Sequence, residues 1–308
     1  MADPERILLS GSNGFFGSWI RRALSEAGHD VVAGTRSGVD GTIRLDLDDP
    51  GSVARAVAET GPTVIVNAAG ISSPAAARKD PGRCFAANTG GTLNLLEAIR
   101  TKAPDARLVT LSSAAVYGAG TDDRLDEEEP PAPHSIYGAS KLAAEVLCGQ
   151  YIRERGAAIT TLRVFNLVGP GQPGDQASAE FTGAVRRALE AGRPDVEITV
   201  GDPGISRDYT DVRDAAAAVA AVIGSGGQGI FNLCSGEATS LADLGDTLSG
   251  LATTLKGAPF AVRLRRDPAR TSPGDPHTIC GSGERLRTAT GWSPKTPLSR
   301  SLADLLAA

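Results

Sequence analysis

Tyr137 and Lys141 are the residues in this chain whose types and spacing most suggest chemistry. They lie four residues apart at the start of a predicted helix, so both side chains share one helical face. A tyrosine has a reference pKa of about 10 and is a poor acid–base group at neutral pH. We expect the neighbouring ammonium to favour the phenolate and to lower this pKa, which would let the tyrosine exchange a proton with an oxygen atom.

A hydroxyl group accompanies this pair. Ser113 ends an apolar strand pattern over residues 107–113, 24 residues before the tyrosine. From the carboxyl end of a neighbouring strand it could hydrogen-bond a carbonyl oxygen that is being reduced. A tyrosine and a lysine four apart occur in many helices without a function. The pair becomes informative because a Ser-Ser strand end and a glycine motif precede it.

The glycine motif is Gly11-x-x-Gly14-x-x-Gly17, which follows an apolar run and opens an amphipathic helical pattern. Gly11 allows the tight turn, Gly14 lets the backbone approach phosphates, and Gly17 lets the helix pack close to the strand. The helix N-terminus, with its unpaired N–H groups, faces an anion. The stretch predicts dinucleotide binding, and a bound oxidised nicotinamide would further favour the tyrosine phenolate.

The choice of dinucleotide depends on the end of the second predicted strand, residues 30–34. An acidic residue at that point binds the ribose of NAD, but this sequence has Thr35-Arg36-Ser37. An arginine and two hydroxyls suit a 2′-phosphate, and we expect no carboxylate there to repel it. The turn favours NADP(H), with NAD(H) as the alternative cofactor. The alternative role for Arg36 is that of a solvated arginine in a surface loop. Asp46, in the third strand pattern, is placed to meet the adenine amino group.

Strand and helix patterns alternate over the first ~165 residues, which predicts an α/β fold with a doubly wound parallel sheet. Residues 63–70 form a continuous apolar run whose small last residues would let a cofactor lie against the backbone. Residues 83–102 read as one long helix. Beyond Gly169 the pattern changes to loops and shorter elements. We expect a dinucleotide-binding domain at 1–166, completed by 205–233, and a smaller substrate-binding domain at 167–204 and 234–308.

Composition narrows the class of protein. The 308 residues carry a formal charge of −5 without a long basic run, which argues against a nucleic-acid partner. No run approaches the ~18 apolar residues of a membrane helix, and the first residues do not resemble a signal segment. The four cysteines are far apart and lack metal-ligand spacing, so we expect buried free thiols and no metal site. The sequence predicts a cytoplasmic protein.

The chain resembles the extended short-chain dehydrogenase/reductases, the family of sugar-nucleotide epimerases, dehydratases and reductases with a Rossmann fold. The resemblance covers essentially the whole length. It is carried by the glycine motif, Asn67-Ala-Ala-Gly70, Asn88-Thr-Gly-Gly-Thr92, Ser112-Ser113-Ala-Ala-Val-Tyr117-Gly118, Tyr137-Gly-Ala-Ser-Lys141, Arg163-Val-Phe-Asn166-Leu-Val-Gly-Pro170 and Arg207-Asp-Tyr-Thr-Asp211-Val.

The resemblance implies roles for individual residues. Ser113 and Tyr137 would bracket the reacting oxygen, and Lys141 would hold the nicotinamide ribose. Asn166 and Arg207 would grip the diphosphate of a nucleotide-sugar substrate, for which the planar fork of arginine is suited. The family also implies a homodimer in which the helices around 83–102 and 139–154 form a four-helix bundle.

Two departures narrow the reaction. The 4,6-dehydratases of the family carry an Asp-Glu pair after the catalytic hydroxyl, where this chain has Ala114 and Ala115. The 3,5-epimerases carry a cysteine at the second of these positions. A 4-ketoreductase that consumes NADPH and a 4-epimerase that retains NAD remain. Arg36 favours the reductase, and the chain looks most like the GDP-4-keto-6-deoxymannose reductases of the family. A dinucleotide-sensing protein without catalysis is a third hypothesis, against which the intact Ser113, Tyr137 and Lys141 argue.

The predicted site residues fall into three sets. The catalytic set is Ser113, Tyr137 and Lys141. The cofactor-binding set is Gly11, Ser12, Asn13, Gly14, Phe15, Phe16, Gly17, Thr35, Arg36, Ser37, Asp46, Leu47, Asn67, Ala68, Ala69, Gly70, Asn88, Tyr137, Lys141, Val164 and Asn166. The substrate-binding set is Ser113, Ala114, Asn166, Arg207 and Arg270, and for Arg270 a plain surface role is the alternative.

Overall fold

The computed structural model describes residues 4–39, 41–119, 124–174, 176–271 and 276–307. Its strands are β1 (Arg6–Ser10), β2 (Asp30–Thr35), β3 (Ile43–Arg44), β4 (Val64–Asn67), β5 (Arg107–Ser113), β6 (Ile159–Val164), β7 (Asn166–Val168), β8 (Asp195–Val200), β9 (Ser206–Asp211), β10 (Gly229–Leu233), β11 (Ala238–Ser240), β12 (Ala261–Arg266) and β13 (Thr278–Ile279). Its α-helices are α1 (Phe15–Glu26), α2 (Pro50–Thr60), α3 (Pro74–Lys79), α4 (Pro81–Phe85), α5 (Gly91–Lys102), α6 (Ile136–Arg155), α7 (Ala177–Glu190), α8 (Val212–Ser225), α9 (Leu241–Lys256), α10 (Glu284–Thr290) and α11 (Leu298–Ala307).

A seven-stranded parallel sheet forms the centre of the molecule, in the order β10-β6-β5-β4-β1-β2-β3. Successive residues of β1 point to opposite faces. Ile7 packs with α1 and α8, whereas Leu8 packs with α2, α5 and α6. Both faces of the sheet are therefore covered by helices, and the predicted doubly wound α/β fold is confirmed.

The strand β10 comes from far downstream in the chain. It pairs in parallel with β6 and completes the central sheet, and α8 packs beside α1. The segment 205–233 thus contributes α8 and β10 to the central part, whereas its first strand, β9, lies in a separate small sheet with β7, β11 and β13. The proposed domain boundaries stay a prediction.

The second hydrophobic cluster of the molecule lies downstream of β7. It includes Phe181 of α7, Leu244 of α9 and Leu302 of α11, packed against the β8–β12 pair. We expected loops and shorter elements after Gly169, yet α7 and α8 each run for 14 residues. Their alanine-rich sequences have good helix propensity, and each helix lies between two strands, α7 between β7 and β8 and α8 between β9 and β10.

The predicted helix over 83–102 is interrupted. It divides into α4, a π-helical segment at Ala86–Gly90, and α5. Such π-bulges insert an extra residue into a helix and are frequent at functional sites. Here the bulge turns Asn88 toward the loop after β4 and toward α6. Among the described helices, none has the length and apolar character needed to cross a bilayer.

Candidate active site

The structure brings Ser113, Tyr137 and Lys141 together at the carboxyl edge of the central sheet. Ser113 ends β5, and its hydroxyl lies near enough to Tyr137 to lower the pKa of the phenol. Lys141, one turn further along α6, donates from Nζ to the Leu111 carbonyl oxygen at 2.8 Å. The predicted catalytic residues are therefore held by one strand and the first turns of one helix.

The start of α6 is fixed by local contacts. The Ser135 hydroxyl caps the helix by accepting a hydrogen bond from the Gly138 N–H at 3.0 Å. Gly138 packs directly on the turn after Ser113, and a Cβ atom at this position would overlap the Ala115 carbonyl oxygen. Only glycine lets α6 approach that closely, which explains why a glycine follows the tyrosine.

The pKa of Tyr137 shifts in the direction opposite to the one expected. Burial raises the pKa of Tyr137, although the nearby Ser113 hydroxyl opposes the shift. Burial likewise lowers the pKa of Lys141 to about 8, opposed by the charges of Cys84 and Glu145. The prediction that the ammonium lowers the tyrosine pKa is wrong for the chain without its cofactor, because desolvation outweighs the other effects and Lys141 bonds a carbonyl. The Tyr137 phenol consequently keeps its proton at neutral pH.

The loop between β1 and α1 has the shape of an anion site. Gly11 has a φ of +67°, and an added Cβ would lie 2.8 Å from the backbone at Ala68 and Ala69. A Cβ on Gly17 would overlap the Gly11 carbonyl oxygen. The N-cap of α1, Gly14, supplies no side-chain hydrogen bond, so the first N–H groups remain available to a phosphate. These features fit a dinucleotide pyrophosphate.

Several of the predicted cofactor residues use their side chains inside the protein. Ser12 donates to the Gly34 carbonyl, and Asn67 accepts from Ser10 at 2.7 Å. Asn88 bonds both backbone groups of Ile71 and donates to the Ser140 hydroxyl at 2.9 Å. These three side chains hold the loops that a cofactor would contact.

The remaining predicted cofactor residues differ in exposure. Leu47 is buried in the core under β2 and β3. Val164 is half-buried and lies opposite Ser113 in the strand register. Eight other predicted cofactor residues are half-buried or exposed, and all of them lie in the glycine loop, in the first turn of α1 or at the ends of β2 and β4. They are Asn13, Phe15, Phe16, Thr35, Ser37, Ala68, Ala69 and Gly70.

The turn after β2 contains ion pairs that the sequence did not indicate. Arg36 donates to Asp48 at 2.6 Å and lies 3.4 Å from Asp46, while Arg83 reaches the same Asp48 oxygen at 2.7 Å. The hydrogen bond from Arg83 is the main reason that the pKa of Asp48 falls below its usual value. The expectation that no carboxylate lies there is wrong. Because β2 and β3 are parallel neighbours, the residues after β3 reach the same edge as Arg36.

The predicted substrate residues lie around the small sheet. Asn166 is exposed at the start of β7, opposite Tyr209 of β9. Arg207 of β9 is half-buried and donates to the carbonyl oxygens of Ser206, Pro276 and His277. Arg270 is exposed, donates to the Thr199 carbonyl at 2.8 Å and lies 3.6 Å from Glu180. Ala114 is buried in the turn after Ser113.

Sequence reasoning missed a buried ion pair between Arg163 of β6 and Glu145 of α6, whose side chains are 3% and 5% exposed. The signal was present, since Glu145 stands four residues after Lys141 and shares its helical face. Asp48 and Arg83 were also missed. Their contact joins segments 35 residues apart, which no local pattern connects.

Comparison with known proteins identifies relatives over the whole chain. The profile described as "NAD dependent epimerase/dehydratase family" matches residues 7–234. The GDP-6-deoxy-D-mannose reductase of Pseudomonas aeruginosa is 31% identical, over 98% of this chain and 96% of that protein.

Two solved structures share the fold. The first, described as RMD from Pseudomonas aeruginosa complexed with NADPH, has a TM-score of 0.83 and 28% identity, and covers 98% of both chains. The second is a Thermus thermophilus UDP-glucose 4-epimerase in complex with NAD. It has a TM-score of 0.85 and 30% identity, and also covers 98% of both chains.

Proposed function

The chain belongs to the NAD dependent epimerase/dehydratase family, and we propose that it reduces the C4 ketone of a nucleotide-diphosphate-linked 4-keto-6-deoxy sugar with NADPH. The observation that carries the proposal is that Ser113 and Tyr137 come together at the edge of the sheet, while the two residues after Ser113 are Ala114 and Ala115. This arrangement has one proton donor for one oxygen. It lacks, at those two positions, the additional acid and base that removal of water requires. The similarity to a GDP-6-deoxy-D-mannose reductase supports the same reading.

The chain's own residues suit a reduction. NADPH, held by the glycine loop and by Arg36, would supply the hydride to the ketone carbon. Ser113 hydrogen-bonds the ketone oxygen and stabilises the charge that develops on it. Tyr137, kept neutral by its raised pKa, gives its proton to that oxygen, so the ketone becomes an alcohol and a tyrosinate remains. The nearby ammonium of Lys141 stabilises the tyrosinate until solvent reprotonates it.

Substrate binding in this proposal uses the edge of the small sheet. Asn166 starts β7 opposite Tyr209 of β9, and Arg207 lies two residues before Tyr209 in β9. A guanidinium and an amide at this edge match the oxygens of a diphosphate. Arg270 contributes only if it leaves its contacts with Thr199 and Glu180.

A second candidate is a 4-epimerase that retains NAD. The observation that favours it is the pairing of Arg36 with Asp46 and Asp48, which occupies the arginine that would select a 2′-phosphate. The similarity to an NAD-bound UDP-glucose 4-epimerase points the same way. Both candidates are nucleotide-sugar enzymes that move a hydride at a sugar carbon, and they differ in whether reduced cofactor is consumed.

A pair of assays tests the proposal. Purified protein is mixed with NADPH and GDP-4-keto-6-deoxymannose, and the absorbance of the reduced nicotinamide is followed. The same protein is denatured and its released nicotinamide is identified. Consumption of NADPH with turnover, and no retained NAD, is the expected result. Retained NAD together with interconversion of UDP-glucose and UDP-galactose would replace the reductase with the epimerase.

The role of Tyr137 is tested by Tyr137→Phe, which removes the proton donor and keeps the ring. We expect kcat to fall on the order of 10²- to 10⁴-fold while NADPH still binds. Wild-type turnover in this variant would refute the mechanism.

We propose further that the enzyme is a cytoplasmic homodimer. Leu93 of α5, and Val146 and Ile152 of α6, are exposed apolar side chains on the two helices that the resemblance assigns to a four-helix bundle. Pairing them with a second copy would remove this apolar surface from water. The four cysteines are free and buried, which fits a reducing compartment.

A further inference from the structure

We propose that the buried Glu145–Arg163 pair is a positioning device for catalysis, which holds α6 on β5 and β6 so that Tyr137 and Lys141 meet Ser113. The inference rests on the proposed function, because it assigns those three residues to the reaction. Neither residue of the pair touches the reacting oxygen in this proposal. Both act indirectly, by holding together β5 and α6, the elements that carry Ser113, Tyr137 and Lys141.

The contacts of the pair join every element that bears a catalytic residue. Arg163 of β6 donates from Nη2 to Glu145 at 2.8 Å, and from Nε to both carboxylate oxygens at 3.2 and 3.3 Å. The Ser112 hydroxyl of β5 donates to the same carboxylate. Ser112 directly precedes Ser113, and Glu145 lies one helical turn after Lys141. A shift of α6 relative to β5 would therefore break this cluster before it could separate Tyr137 from Ser113.

The cluster continues into the last strand of the sheet. The Arg163 guanidinium lies 4.7 Å from the centre of the Tyr117 ring, and the Tyr117 hydroxyl donates to Asn232 at 2.6 Å. Asn232 belongs to β10, and its backbone N–H donates to the Glu127 carboxylate at 2.7 Å. Two carboxylates are thus linked to this network, Glu145 through Arg163 and Glu127 through the Asn232 backbone. The catalytic turn after Ser113 is fixed to β6 and β10 as well as to α6.

Stability alone does not account for such a pair. Removing two charges from water costs free energy that their attraction often fails to repay, and apolar residues of similar size can replace a buried pair without loss of stability. Arg163 even has a buried Nη1 without a hydrogen-bond partner in the described part of the chain. An ion pair is more directional than apolar packing, because a bidentate arginine–carboxylate contact fixes both the distance and the angle between the two groups.

The pair also has an electrostatic effect on the catalytic lysine. Burial disfavours the Lys141 ammonium, and the groups that oppose this effect are Cys84 of α4 and Glu145 of α6. Removing the Glu145 charge would lower the pKa of Lys141 further, so that less of the lysine is charged at neutral pH. This gives the proposal a readout that a purely structural role of the pair would not change.

The first test uses lysine-selective isotope labelling. The chain contains only five lysines, so the side-chain resonances can be assigned by substitution. We compare the wild type with the double variant Glu145→Leu/Arg163→Met, which removes both charges and keeps the bulk. We expect the Lys141 titration midpoint to fall below its value of about 8. No substrate is needed, so the result is independent of whether the proposed reaction is correct.

The second test measures the rate. With NADPH and GDP-4-keto-6-deoxymannose, we expect kcat of the double variant to fall on the order of 10- to 100-fold, as for a small misplacement of reacting groups, with KM and the melting temperature little changed. The matched control is Glu5→Leu/Arg107→Met, which removes an ion pair at the opposite end of β5. The control should keep both kcat and the Lys141 midpoint.

The outcomes are separable. A folded double variant with wild-type kcat overturns the proposal whatever its lysine midpoint, and so does an equal loss of kcat in the control. If the double variant does not fold, Ser112→Ala removes only the link between Glu145 and β5. A folded Ser112→Ala with several-fold lower kcat supports the proposal, and one with wild-type kcat refutes it. Absence of any keto-sugar reduction by the wild type refutes the proposed function, while the lysine titration still tests the pair.

Discussion

Cofactor choice should depend on one exposed arginine and the carboxylate that holds it. Arg36 is 64% exposed, so its ion pair with Asp48 contributes only about 0.2–1 kcal/mol. A 2′-phosphate that replaces Asp48 would gain a charged hydrogen bond of about 1.5–3 kcal/mol. The net gain after losing the ion pair is about 0.5–2.8 kcal/mol. Since about 1.4 kcal/mol corresponds to tenfold, Arg36→Ala should weaken NADPH binding about 2- to 100-fold and hardly affect NADH.

The opposite effect is expected for Asp48→Asn. This substitution removes a negative charge beside the phosphate site and leaves both Arg36 and Arg83 in position. Two charges about 4 Å apart in water interact by about 1 kcal/mol, so NADPH should bind on the order of fivefold more tightly. Arg83→Ala should act in the same direction as Arg36→Ala, because both arginines reach the same oxygen.

Calorimetric titration of the purified protein with NADPH and with NADH measures these preferences at one fixed salt concentration. The matched control is Arg55→Ala, since Arg55 of α2 is equally exposed at 64% and pairs with Asp49, the N-cap of the same helix. Its affinity for both cofactors should equal that of the wild type. If Arg36→Ala leaves the ratio of the two affinities unchanged, the turn after β2 does not select the cofactor. If Asp48→Asn weakens NADPH binding, the carboxylate assists the phosphate and the reasoning is wrong.

Three further predictions follow from the site. Gly138→Ala should lower the free energy of unfolding by about 1–3 kcal/mol in urea denaturation, because its Cβ would overlap the Ala115 carbonyl oxygen. The rate constant kcat/KM for NADPH-dependent reduction should fall as pH rises through about 8, because Lys141 loses its ammonium charge there. Val146→Glu should convert the dimer into a monomer in light scattering, whereas Leu255→Glu, on an equally exposed apolar residue of α9, should not.

Controls make the first two of these predictions specific. Gly149→Ala lies on the same helix α6, where the added Cβ would meet only the end of the Arg153 side chain, and it should not destabilise the protein. An equal loss of stability in both glycine variants would mean that helix packing is not responsible. A rate that stays constant between pH 7 and pH 9 (roughly one unit either side of the value for Lys141) would mean that its charge is not required.

The parts of this protein that could be read from the sequence are those where a local pattern has a single physical meaning. A glycine after an amphipathic pattern is typical of a helix end, and Gly28 follows the C-cap of α1 with a φ of +88°. The alternation of strand and helix patterns predicted the central sheet. Tyr137 and Lys141 could be paired because a helix fixes their separation.

What the sequence did not reveal depends on contacts between distant segments. Asp48 follows β3, and nothing near it indicates that it would bind Arg36 and Arg83. The raised pKa of Tyr137 comes from burial under residues of several elements, which overrides the effect expected from its neighbour in the helix. The small sheet joins β7, β9, β11 and β13, whose short sequences do not indicate strand pairing by themselves.

The late arrival of β10 has a consequence for how the chain leaves the ribosome. Six strands of the central sheet are complete once residue 164 has been made, but the seventh ends at residue 233. At ~5–20 residues per second, the ribosome needs roughly 3–14 s to add that strand. During this time β6, which carries Arg163, is the open edge of the nascent sheet. The Tyr117 ring that Arg163 contacts cannot yet form its hydrogen bond with Asn232 of β10. A charged residue on an open edge discourages pairing with other chains, so the arginine that later orders the site would first protect the unfinished molecule from aggregation.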